Sequence, residues 1–119
     1  MTPKVEVISH SQIESLGGLQ CPELVEIIND FLADLDGNLG ELCQFARDKN
    51  YEQLRESAHR LKGGASMSGF PALATAAANF EKTAQDENAQ VSESELSRQL
   101  VPAIEEARSA FKLLLKAVS

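Results

Sequence analysis

Residues 51–80 read YEQLRESAHRLKGGASMSGFPALATAAANF. Within this stretch Tyr51, Leu54, Ala58, Leu61 and Ala65 fall on one side of a helical wheel, inside an arc of about 80°. The pattern stops at Gly69-Phe70-Pro71. Glycine suits the left-handed residue just past a helix, and proline suits the first position of the next one. Leu73, Ala76, Ala77, Phe80 and Ala84 then take up helical spacing again. Two amphipathic helices joined by a tight turn are therefore expected here, and the period-two alternation of a half-buried strand is absent.

The flanking sequence extends the same pattern. Upstream, Pro22 fits the first turn of a helix. Leu24, Ile27, Ile28, Phe31, Leu32, Leu35, Leu39, Leu42, Phe45 and Ala46 follow within an arc of roughly 140°. Asp36-Gly37-Asn38 and Gly40 interrupt this run, and each internal glycine costs up to about 1 kcal/mol against alanine. Leu39 and Leu42 nevertheless keep the phase of Leu35, which favours one long, locally weakened helix ending near Arg47. Downstream of a polar loop at Asp86 to Gln90, Ser92 and Glu95 form a capping box. Leu96, Leu100, Ile104, Ala107, Phe111, Leu114 and Val118 run down one side of the helix that follows. Pro102 lies inside it and should kink it or leave a carbonyl unpaired. Near the start, Val5, Val7 and Ile8 alternate loosely, as in an extended arm over residues 1–8. Ser9 or Ser11 can cap a short helix that Gly17-Gly18 stops near Leu16. The fold expected is all-α: an up-down four-helix bundle with a short additional N-terminal helix, one domain over residues 1–119.

Composition agrees. The chain has 119 residues, enough for one core, and is 43% hydrophobic with 5% aromatics and no Trp. Such a core is aliphatic and alanine-rich, which favours closely packed helices. A net charge of −7 with no basic block argues against nucleic acid, whose binding rests on neutralising phosphates. Cys21 and Cys43 match no zinc or redox spacing and read as reduced thiols in or near the core. No stretch is apolar enough to span a membrane, and Met1 to His10 do not read as a signal peptide, so the cytoplasm is the simplest location.

The chemistry is concentrated around His59. Its helical position is about 120° from the centre of the core stripe, so the ring is expected outside. Glu52, Arg55, Glu56, Lys62, Gly63 and Ser66 share that outer face, within about 60° of it. Lys62 at i+3 and Arg55 at i−4 can both approach the imidazole. Gly63 at i+4 removes a side chain from the next turn, on a face where packing inside the bundle explains little. Gly64 lies about 140° away, where close helix packing explains it better. The combination describes an exposed histidine flanked by positive charge and sterically clear on one side. Other chemistry is hard to assemble. Zinc needs several ligands, and His10, Cys21 and Cys43 give no ligand spacing. No hydrolase elbow and no glycine-rich phosphate loop is present, so ATP binding and self-phosphorylation are not expected.

His59, Lys62, Gly63, Gly69 and Phe70 resemble the signature of histidine-containing phosphotransfer (HPt) domains of two-component phosphorelays. Their pattern is His-x-x-Lys-Gly, with a glycine ten residues after the His and an apolar residue next. The resemblance spans the chain in length and helix order. It implies a carrier, not a kinase, that accepts a phosphoryl group on His59 from a receiver domain's aspartyl phosphate and passes it to another receiver. It assigns charge stabilisation to Lys62 and receiver docking to Arg55, Gly63, Ser66 and Met67. In the family a Gln or Glu on the next helix often holds the imidazole, and that offset falls on Glu81. The implied partners are response-regulator receiver domains and a hybrid sensor kinase, with the chain a monomer. No cofactor is implied on this chain, magnesium being expected on the receiver. The alternative reading is a helical adaptor, or an HPt-like protein that binds receivers without phosphotransfer.

Overall fold

A computed structural model of the chain describes residues 6–85 and 91–118. Five helices and no strand are present among them: α1 (His10–Ser15), α2 (Pro22–Arg47), α3 (Tyr51–Met67), α4 (Pro71–Gln85) and α5 (Glu93–Val118). Residues 1–5 of the expected arm, the polar loop at 86–90 and the Val118 side chain lie outside the described residues. What is described of the arm, residues 6–9, forms bends and not an extended strand.

The helix ends follow local chemistry. The Ser9 hydroxyl accepts from the Gln12 amide at the start of α1, and Gly17 and Gly18 turn the chain away at φ of 120° and 74°. Pro22 opens α2 behind Cys21. The Asn50 side chain accepts from the Gln53 amide to start α3, and Gly69, at φ of 87°, reverses the chain after it. α2 runs unbroken through Gly37 and Gly40, neither of which has a neighbour within 4 Å of where a Cβ would stand. Leu35 and Leu42 are buried on the same stripe, and their burial outweighs the two glycines, at up to about 1 kcal/mol each.

Each long helix turns one apolar stripe inward. α2 packs against α3 and α5, and α4 packs against the same two helices. Phe70 is fully buried at the α3–α4 turn, stacked on Phe31 with ring centroids 6.1 Å apart and edge-on to Phe111 at 6.4 Å. These three rings tie α2, the turn and α5 together beneath the outer face of α3. α1 buries Ile13 against Gly69, and Gln12 Nε2 donates to the Ser66 and Met67 carbonyls at 2.6 and 3.3 Å. The short helix thereby supplies donors to the open C-terminal end of α3.

Two details depart from the sequence expectations. Ile27, assigned to the α2 stripe, is 60% exposed, because it sits at the edge of the apolar arc where α3 and α5 do not reach. The capping box forms only by half. The Ser92 hydroxyl accepts from the Glu95 amide, but the Glu95 carboxylate turns forward to Arg98 and Gln99. Those donors hold its carboxyl below the usual carboxylate range. Pro102 sits on the exposed side of a continuous α5 and, having no N–H, leaves the Arg98 carbonyl without its helical donor, the second of the two outcomes expected.

Both cysteines are free and half-buried. Burial, reinforced by the Glu93 carboxylate and opposed by Arg47, pushes the Cys43 thiol up. At neutral pH the thiolate is the reacting form, so Cys43 should alkylate with iodoacetamide more slowly than free cysteine, as mass spectrometry of the folded chain would show. Equal rates would place the thiol in open water.

Candidate functional site

The outer face of α3 carries the site. Leu54, Ala58, Leu61 and Ala65 are buried beneath it, which fixes the rotation of the helix and turns His59 outward. The imidazole side chain is 65% exposed. Its Nδ1 lies 3.3 Å from both carboxylate oxygens of Glu81 on α4. Glu81 is 16% exposed, so its carboxylate is held at the seam between the two helices while the ring stands in solvent. Phe80 and Ala84, fully or almost fully buried on the inner face of α4, set that orientation.

An ionised carboxylate only accepts, so this contact requires the proton on Nδ1. In the neutral ring the opposite nitrogen, Nε2, then keeps its lone pair. The geometry is that of a histidine whose tautomer is chosen by a neighbour, and 22 residues of sequence separate the two partners.

The surroundings divide into open and filled sides. A Cβ built at Gly63 meets nothing within 4 Å. One built at Gly64 would stand 2.9 Å from Phe31 Cε1, inside ordinary contact distance. Lys62, one turn from His59, is half-buried, and among the described residues no hydrogen bond or ion pair engages its ammonium. Ser66 and Met67 are exposed further along, Met67 at 78%. Arg55 behaves differently from its neighbours. Its Nη1 donates to the Ala84 carbonyl on α4 at 3.3 Å, so the guanidinium leans along the α3–α4 seam.

His59, Lys62, Gly63 and Glu81 are thus brought together, Ser66 and Met67 continue the same face, and Arg55 is turned to α4. The wheel of α3 placed His59, Lys62 and Gly63. It carried no information about Arg55 reaching across 29 residues, nor about Gln12 reaching the end of α3 across 54. Among the described residues no group of three or more His, Cys, Asp or Glu side chains could hold a metal ion. No described helix is long and apolar enough to cross a membrane.

Comparison with known proteins found no match among curated proteins or solved structures. The family model of the Hpt domain does match, over residues 26–118, which takes in α3, α4, α5 and all but the first turn of α2. An exposed histidine on one helix, in contact with a carboxylate on the next, is thus carried on a chain that belongs to the Hpt domain family, whose members carry phosphoryl groups in two-component signalling.

Proposed function

We propose that this chain is a phosphorelay intermediate in which His59 takes a phosphoryl group from the aspartyl phosphate of one receiver domain and gives it to another. α2 to α5 form an up-down four-helix bundle that presents one fixed imidazole, a reading supported by the closed ring of contacts α2–α3–α4–α5–α2. The observation that carries the proposal is the Nδ1 contact to Glu81 beside an exposed ring.

The chemistry follows from that contact. Nε2 attacks phosphorus in line, the P–N bond forms, and the P–O bond to the receiver's aspartate breaks with its electron pair leaving on the carboxylate. Nδ1 keeps its proton throughout. The ring becomes a phosphorylated imidazolium, and the Glu81 carboxylate offsets the charge that develops, as the carboxylate of a Ser-His-Asp triad does. Lys62 places an ammonium one turn away that is unengaged among the described residues, where it stabilises the equatorial oxygens of the transferring group. Gly63 leaves room for the receiver's active-site loop, and Ser66 and Met67 extend the surface on which it docks. Magnesium belongs to the receiver, and this chain acts as a single-domain monomer with no cofactor of its own. A hybrid sensor kinase and a response regulator are the implied donor and acceptor.

The test is incubation of the chain with a phosphorylated receiver domain, followed by separation of the two proteins. The expected result is label on this chain that acid removes and base does not, the behaviour of a phosphoramidate and not of an acyl phosphate. Receiver binding without any label overturns the proposal in favour of an adaptor.

A further inference from the structure

We infer that Arg55 is a positioning residue, which pins the C-terminal turn of α4 so that the Glu81 carboxylate stays within reach of His59 Nδ1. Among the described residues, two side-chain links join α3 to α4 on this face. One is His59 to Glu81, at 3.3 Å to each oxygen. The other is Arg55 Nη1 to the Ala84 carbonyl, also at 3.3 Å. Arg55 precedes His59 by one turn of α3, and Ala84 follows Glu81 by about one turn of α4. They are adjacent rungs of one seam.

The second rung has its own physical ground. Ala84 lies in the last described turn of α4, and its carbonyl accepts from Arg55 Nη1. Toward its C-terminal side a helix carries the negative end of its dipole, which favours a guanidinium there. Arg55 supplies both a donor and a compensating charge. Buried Phe80 and Ala84 hold α4 from inside, and Arg55 holds the same turn from outside.

The first rung needs this support. At 3.3 Å to both oxygens it lies at the long end of hydrogen-bonding distance, so a shift of a few tenths of an ångström in the end of α4 breaks it. Helix ends fray, and one carbonyl tied across the seam resists that. A guanidinium committed to Ala84 is also not free to meet an incoming phosphoryl group, which leaves Lys62 to do so. The kinetic consequence rests on His59 being the phosphoacceptor. The effect on the ring does not.

The experiment is long-range proton–nitrogen NMR of the imidazole in the full nitrogen-labelled chain, for wild type, Arg55→Ala, Arg55→Lys and Glu81→Ala, with thermal melts to confirm folding. Wild type should show His59 mainly as the Nδ1–H tautomer. Arg55→Ala should shift it toward Nε2–H, and Arg55→Lys, which keeps a cationic donor, should restore most of the wild-type signal. Phosphotransfer by Arg55→Ala should slow by about three- to tenfold. Combined with Glu81→Ala, Arg55→Ala should add nothing, since both act through one contact. An unchanged tautomer in Arg55→Ala overturns the inference, and if receiver binding weakens at the same time Arg55 is a docking cation instead. Should wild type accept no label while the tautomer responds as described, the phosphorelay reading fails and the positioning role of Arg55 stands.

Discussion

Replacing His59 with glutamine is expected to remove all detectable acid-labile label, a loss of more than about 10³-fold in phosphotransfer, while the melting temperature hardly moves. The two halves of that expectation have separate grounds. His59 is 65% exposed and its only hydrogen-bond partner among the described residues is Glu81, so the fold loses little when the ring goes. Glutamine is a good helix former, and surface substitutions of this kind stay within about 0.5 kcal/mol. Transfer, in contrast, has nowhere else to go. The only other histidine, His10, sits on α1 and not on the face that carries Lys62 and Gly63. Gel or mass-spectrometric detection of label after exposure to a phosphorylated receiver, with a thermal melt on the same sample, reads both. Receiver binding should persist, because the exposed face around Gly63, Ser66 and Met67 is untouched. Label that survives the substitution places the acceptor elsewhere and removes His59 from the mechanism.

How much of this was legible in the sequence depends on the range of the interaction. Leu35, Leu39 and Leu42 kept phase across Gly37 and Gly40, and that local regularity reported one continuous α2 correctly. The wheel of α3 placed His59 outside for the same reason, since the buried stripe and the exposed ring are properties of a single helix. Glu81 was placed by resemblance, because nothing in the period of α4 says which of its polar residues faces a histidine 22 positions earlier. Ile27 shows the limit of a wheel. It lies inside a wide apolar arc, but only the neighbours decide how much of the arc is covered, and α3 and α5 leave it 60% exposed. Arg55 and Gln12 show the same limit for polar groups. Each donates to carbonyls of a different element, and the sequence of the accepting helix does not name the donor. Glu95 departed from its motif because Arg98 and Gln99, one turn ahead, compete for the same carboxylate.

Alanine at the two adjacent glycines is expected to move stability in opposite directions. At Gly63 a methyl group meets nothing within 4 Å, so the substitution gains helix propensity without a clash. The gain is up to about 1 kcal/mol, a rise of roughly 4 °C in melting temperature for a domain of this size. At Gly64 the same methyl stands 2.9 Å from Phe31 Cε1. Phe31 cannot simply swing away, since its ring is stacked on the fully buried Phe70 at 6.1 Å. Overpacking of this sort costs about 1–3 kcal/mol, which exceeds the propensity gained, and the melting temperature should fall. Function should invert the order. Gly63 is one turn beyond His59 on the face proposed to dock a receiver, so the more stable Gly63→Ala chain should transfer phosphate more slowly. A clash of about 1.4 kcal/mol in the docked complex is enough for a tenfold drop. The less stable Gly64→Ala chain should keep a near-normal rate per folded molecule, because its methyl points into the α2–α3 seam and away from the docking face. Differential scanning calorimetry paired with single-turnover transfer kinetics on the two variants reads both effects. If Gly63→Ala raises the melting temperature and leaves transfer untouched, clearance at that position has no part in docking, and the glycine there needs another physical cause.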